Sequence, residues 1–265
     1  MEVIVSEITP NKNNTFAKRF VGNVFLTVFS QPQDNFAHDL VRYDYITGQP
    51  MQGLVMTDEN GDYQEAYEPA SDPLLLRYLS LPNTKRSLLP HPLYRTIRRL
   101  FPFAPNLSSP EFIPTKTLNL FDTLNQYFPN HKLILSDFDR LPDSVPRHRN
   151  GPVVQIRYQG QMIACSTYLV QPGWFDIFFP TDFEQLKGVY LEVCGTRSDD
   201  MDKGGNGHKG HGDGSTKSVD RNAKTVEICS QKQFLSDHAQ LDKTVTMSGE
   251  NPMLSFYENF KFMLS

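Results

Sequence analysis

Six consecutive positions, Asp34-Asn35-Phe36-Ala37-His38-Asp39, gather two carboxylates, an amide and an imidazole directly after an apolar run. Such groups could accept protons or hold an amine, and His38 is of the one type that titrates near neutral pH, which suits a base. The same residues also build turns, since Asx side chains cap their own backbone, and a plain turn is their commoner use. Glu7 closes a β-branched run at Glu7-Ile8-Thr9-Pro10. An acid there can take both hydroxyls of a cofactor ribose, or simply face water. Asp137 and Asp139 follow Lys132–Ser136 (KLILS) and stand two apart, so on a strand they would share a face. Asp137 is a cleft candidate because it ends that strand. Paired glycosidase carboxylates flank a cleft and cannot be read from so local a pair.

Other chemistries lack support. His208 and His211 have a spacing that can bind a metal, but no carboxylate cluster or cysteine stands near them in a glycine-rich stretch, so no metal site is predicted. Ser166 lacks the GxSxG elbow of serine hydrolases. Cys165, Cys194 and Cys229 are odd in number and far apart, which suggests free thiols in a reducing compartment. Arg95, Arg98 and Arg99 form a small basic cluster without interleaved aromatics. With a net charge of −4 and a pI near 6.0, no nucleic-acid partner is expected. No apolar run has the length of a membrane span, and Met1-Glu2-Val3-Ile4-Val5 reads as neither a signal peptide nor a transit sequence.

The elements that must position these groups follow from hydrophobic period. Strands are expected at Glu2–Ile8 and Phe20–Phe29, then an antiparallel meander through Val41–Tyr45, Gly53–Met56 and Asp62–Tyr67. Asp72-Pro73 opens a helix that Pro82 ends. Seven prolines between Pro82 and Pro114 exclude one long helix or a central strand. A helix over Thr115–Phe128 should bury Leu120, Phe121, Leu124, Tyr127 and Phe128. Beyond KLILS come a hairpin through Gln159-Gly160, a strand at Trp174–Phe179, and a helix capped by Thr181-Asp182 and running to about Lys187. The chain therefore divides into a core over 1–195, a disordered glycine-rich insertion over 196–224 with almost no apolar side chains, and the rest of the core over 225–265. Helices that feed strands ending in acids mark an α/β fold, whose ligands sit at the strands' carboxyl ends.

Several segments together resemble the MidA-type family of S-adenosylmethionine-dependent protein arginine methyltransferases, in its fungal mitochondrial branch. They are QDNFAHDLVRYD (33–44), SDPLLLRYLSLP (71–82), FIPTKTLNLFDTL (112–124), FPNHKLILSDFDRLPDSVP (128–146), the long run over 152–186, and NPMLSFYENFKFML (251–264). The resemblance implies a partial Rossmann-like methyltransferase sheet with an inserted β-hairpin and helical region on the substrate side. It implies S-adenosylmethionine as cofactor, and a protein substrate: a respiratory complex I subunit methylated on arginine during assembly in mitochondria. Glu7 would hold the cofactor ribose, and Asp34 and Asn35 would stand beside the transferred methyl group, with Asp34 also touching the cofactor. Phe36, His38 and Asp137 would lie on the substrate side. Gln31 stands where family members carry a glutamate and Ala37 where they carry proline, and no glycine-rich turn precedes Glu7. The alternative is a catalytically inactive or truncated homologue that acts as a partner-binding assembly protein.

Overall fold

The structure is a computed structural model and describes residues 26–30, 36–82, 106–142, 151–195 and 224–265. Glu7, Asp34, Asn35, the three arginines, the HxxH pair and the glycine-rich stretch up to residue 223 lie outside the described residues.

Four strands form the main sheet: β1 (Leu26–Ser30), β6 (Lys132–Phe138), β10 (Glu227–Ser230) and β11 (Phe260–Leu264), in the order β1-β6-β11-β10. β1 runs parallel to β6, with Leu26 opposite Lys132 and Ser30 opposite Ser136. β11 is antiparallel to both β6 and β10. Thus β1, β6 and β10 point one way, and the last strand runs against them from between two of them. This is a mixed α/β fold.

Each of the two adjacent parallel strands, β1 and β6, leads at its carboxyl end into a small antiparallel sheet before the chain returns through a helix. The first insert comprises β2 (Asp39–Tyr43), β3 (Pro50–Thr57), β4 (Tyr63–Pro69) and β5 (Glu111–Ile113), ordered β4-β3-β2-β5, with helix α1 (Pro73–Ser80) between β4 and β5. The second comprises β7 (Val153–Tyr158), β8 (Gln161–Cys165) and β9 (Asp176–Phe178), ordered β8-β7-β9. The expected meander and hairpin are therefore two separate sheets. Gly53 answers a close approach inside the first. A Cβ there would stand 2.8 Å from Leu40 Cδ2, a distance that side-chain carbons do not tolerate.

Helices α2 (Thr115–Tyr127) and α3 (Phe183–Cys194) pack on each other, and α3 also packs on β11. The buried stripe of α2 is Thr117, Leu118, Phe121 and Leu124, rotated from the expected one, so Leu120 is only partly buried. Helix α3 continues past Lys187 through Gly188. Val189, Tyr190 and Cys194 are buried on it, and their burial outweighs the roughly 1 kcal/mol that a helical glycine costs. Asp182 caps it by accepting from the Gln185 backbone N–H at 3.0 Å. Trp174 lies outside β9 and is 70% exposed, so the expected strand at 174–179 is shorter. The remaining helices, α4 (Gln231–His238) and α5 (Pro252–Ser255), pack on each other, and α4 covers β10 and β11.

Fully buried Tyr190 locks the far end of the sheet. Its ring meets Phe121 edge-on at 5.1 Å. Nδ1–H of His131 donates to the Phe128 carbonyl at 2.6 Å, which leaves Nε2 to accept from the Tyr190 hydroxyl at 2.8 Å. That hydroxyl also lies 2.7 Å from Ser265 Oγ and accepts from Lys224 Nζ at 3.1 Å. Burial, the largest cause, pushes the phenol up to about 12, so it stays a donor throughout the physiological range.

Removing the ring at the centre of this core, Phe121→Ala, is expected to cost about 3–5 kcal/mol in urea unfolding followed by circular dichroism. Leu76→Ala, on the exposed side of α1, should cost less than about 0.5 kcal/mol.

Candidate functional site

Both inserts are pinned where they leave and rejoin the main sheet. In the first, β2 pairs with β5 so that Asp39 faces Ile113 and Leu40 faces Phe112, and the Thr115 hydroxyl donates to an Asp39 carboxylate oxygen. In the second, the Thr181 backbone N–H donates to the Phe138 carbonyl at 2.8 Å, tying the entry of α3 to the end of β6. The two stems meet through aromatic rings. The His38 imidazole stacks on Phe179 with centroids 4.0 Å apart and planes at 13°. Phe112 touches Phe179 at 5.6 Å and Tyr168 at 5.5 Å.

A small recess opens at this junction, lined by His38, Pro114, Thr181, Asp182, Gln185 and Leu186, with Pro180. His38 Nδ1–H donates to the Phe36 carbonyl at 2.8 Å, which fixes the tautomer and leaves Nε2 as an acceptor. Burial pushes its imidazolium down to about 4, and the Phe36 carbonyl opposes this only in part. His38 is thus neutral at physiological pH and too weak for the base that its residue type suggested. Its Nε2 can accept a hydrogen bond, and its ring supplies a flat face.

Asp137 is completely buried at the end of β6, where its Oδ1 accepts from the Phe138 backbone N–H at 2.7 Å. Asp139 lies just beyond and pairs with Lys261 of β11 at 2.8 Å, while its backbone N–H donates to the Asn259 carbonyl. The two acids expected to share a face therefore have different surroundings, since β6 ends at Phe138. Ser166 is exposed, and no three His, Cys, Asp or Glu side chains converge as for a metal among the described residues. Phe179, Thr181 and Gln185 are site residues that the sequence did not single out. Gln185 carried a usable signal, being a polar residue on the buried side of a capped helix.

The family model described as "Putative S-adenosyl-L-methionine-dependent methyltransferase" matches residues 29–201, from within β1 through both inserts and past the end of α3. The chain belongs to that family. Two solved structures from Burkholderia thailandensis are similar to this methyltransferase-family chain. One is a COG1565 superfamily protein, 12% identical with a TM-score of 0.49, the alignment covering 91% of this chain and 55% of the other. The second is a COG1565 superfamily member bound to S-adenosyl-homocysteine, also 12% identical, with a TM-score of 0.48 and coverage of 92% and 54%. The chain thus spans about half the length of each. Among proteins of curated function, none matches.

The recess does not fit the family's nucleoside cofactor. Its free space is about that of a single water molecule, far below the roughly 300–1,000 Å3 of small-molecule sites. Its one carboxylate, Asp182, is committed to capping α3.

The low pKa of His38 carries a stability signature. Above pH 6.5 the imidazole is neutral in folded and unfolded chains alike. Between pH 6.5 and 4 the unfolded chain binds a proton that the folded one refuses. Stability should therefore fall with pH across that window, by about 3 kcal/mol in all. His38→Phe, which keeps a flat ring but cannot titrate, should flatten this limb in urea midpoints measured from pH 7 to 4.

Proposed function

We infer that this chain is a protein arginine methyltransferase that uses S-adenosylmethionine, and that it acts in mitochondria on a subunit of respiratory complex I during assembly. Membership of the methyltransferase family supports the methyl transfer and the cofactor. The arginine and the assembly role rest on the resemblance of the segments given above. The observation that carries the reading is topological: two inserted sheets rise from the carboxyl ends of adjacent parallel strands, β1 and β6, where α/β folds bind ligands. On this reading β1, β6, β11 and β10 are one half of a Rossmann-like methyltransferase sheet. The antiparallel β11, placed between β6 and β10, supports that assignment.

S-adenosylmethionine, when bound, supplies an electrophilic methyl group on a sulfonium sulfur. The chain's task is to aim a guanidinium nitrogen at it, and positioning provides much of the rate in such transfers. A guanidinium is planar, always charged, and best held by carboxylates through paired N–H donors. Asp34 and Asn35 are the proposed partners of that group, Asp34 also facing the cofactor, and Glu7 is proposed to take the ribose hydroxyls. Phe36 and the neutral His38 form the substrate side, where a flat uncharged ring accepts a guanidinium without repelling it. The buried Asp137 holds the turn out of β6 through the Phe138 N–H.

A second reading, a partner-binding assembly protein without transfer, is favoured by the exposed apolar side chains on both inserts, among them Val55, Met56, Met162 and Trp174. One experiment separates the two. Calorimetric titration with S-adenosylmethionine and S-adenosylhomocysteine should show micromolar binding that is lost in Glu7→Ala. Transfer of labelled methyl to protein, recovered as methylarginine after hydrolysis, should drop about 100-fold in Asp34→Asn. No heat from a folded sample would leave the assembly reading standing alone.

A further inference from the structure

The outer half of the β3–β4 ribbon has no covering layer among the described residues. Leu54, Val55 and Met56 are 37%, 61% and 52% exposed. Since successive strand residues point to opposite faces, apolar side chains stand bare on both sides of the ribbon. Across the ladder, Val55 is paired with Glu65 and Met56 with Gln64. Burying such side chains is favourable, and a bare apolar surface of this kind marks an interaction site.

Charge selects the occupant. From Pro50 to Pro69 the chain carries five carboxylates, Asp58, Glu59, Asp62, Glu65 and Glu68, and no basic residue. None of the five forms an ion pair among the described residues. A second copy seated on this ribbon by two-fold symmetry would set these carboxylates against themselves. Nucleic acid and anionic lipid are repelled for the same reason. A basic polypeptide is attracted. The ribbon already holds one guanidinium of its own: Arg42 lies over the Tyr67 ring at 5.2 Å, and the Tyr67 hydroxyl donates to Glu65. Among the described residues β4 is also the edge of its sheet, and such an edge can pair with an added extended strand.

The second insert extends this surface. Tyr63 Oη donates to Gln171 Oε1 at 3.5 Å, which sets the ribbon's tip against the loop carrying Trp174. That indole is 70% exposed, and tryptophan is among the residues that most often anchor interfaces.

We propose that the β3–β4 ribbon, with Trp174 beside its tip, is the docking surface for a basic, extended polypeptide segment of the substrate protein. This rests on the protein-methyltransferase reading for the word substrate, and on the ribbon alone for the docking. The carboxylates draw in arginine and lysine, the bare aliphatic side chains and Trp174 take the apolar residues between them, and the β4 edge sets the segment's direction.

The test uses the full chain and a fluorescein-labelled peptide of about 15 residues with arginines spaced by leucine and glycine. A matched peptide with glutamate in place of arginine is the control. The arginine peptide should bind, and binding should weaken as salt rises from about 50 mM to about 0.5 M. The triple variant Glu59→Lys/Asp62→Lys/Glu65→Lys should weaken it about tenfold or more, Glu59→Gln/Asp62→Asn/Glu65→Gln by less, and Trp174→Ser should weaken it without changing the salt dependence. Equal binding of both peptides, unchanged binding in the charge-reversed variant, or sedimentation showing a dimer that the variant dissolves would overturn the proposal. S-adenosylhomocysteine titration and methyl transfer to protein are measured on the same samples. Transfer that survives charge reversal sinks the docking surface and leaves the methyltransferase reading intact. Salt-dependent peptide binding without cofactor binding sinks that reading and leaves the docking surface.

Discussion

The architecture depends on how two long excursions are held at their roots. A parallel strand that releases dozens of residues before its helix returns gains nothing from that helix unless the two ends of the excursion stay together. Here the closure is made by short, local bonds: the β2–β5 ladder with Thr115 on Asp39 for the first insert, and the Thr181 N–H on the Phe138 carbonyl for the second. The His38–Phe179 stack then joins one root to the other. With the roots fixed, the distal parts of both inserts are free to carry surface chemistry that the core does not constrain.

The opposite end of the sheet is held differently. Tyr190, His131, Lys224 and Ser265 form one hydrogen-bonded group that reaches from α3 to the start of β6, the approach to β10 and the end of β11. Burial lowers the pKa of both Lys224 and His131, and Lys224 pushes His131 down further. The fold thus places its solvent-poor polar cluster away from the carboxyl ends of β1 and β6. The carboxyl end carries neutral rings, a capped helix and a completely buried aspartate.

Much of this was legible from residue types and period. The meander, the helix opened by Asp72-Pro73, the strand that delivers Asp137 and the Asp182 cap follow from turn chemistry and alternation, and each is set by neighbours in sequence. What period could not supply was tertiary. The stripe of α2 turns toward Leu118 because α3 packs there, and α3 outruns Gly188 because Val189 and Tyr190 are buried. Trp174 belonged to an apolar run, yet it faces solvent. His38 shows the limit for chemistry: its residue type suggests a base near neutral pH, but burial at a junction built from residues distant in sequence pushes its pKa well down. The segments around Asp34 and Asn35 carried a resemblance to methyltransferases, and residues 29–201 match the model of a putative S-adenosylmethionine-dependent methyltransferase family.

The position of β11 bears on how the sheet is made. It is the last of the described strands in chain order, yet it fills the space between β6 and β10 and pairs with both. Until it emerges from the ribosome, β6 has, among the described strands, only β1 beside it, and β10 has no described partner in this sheet. Among the described strands, β11 alone lies between them. Assembly is therefore a matter of waiting: local pieces such as the β3–β4 ribbon can close as they are synthesised, while the main sheet closes in one late, long-range step. During that interval the open side of β6 is a place where another extended chain could pair by mistake.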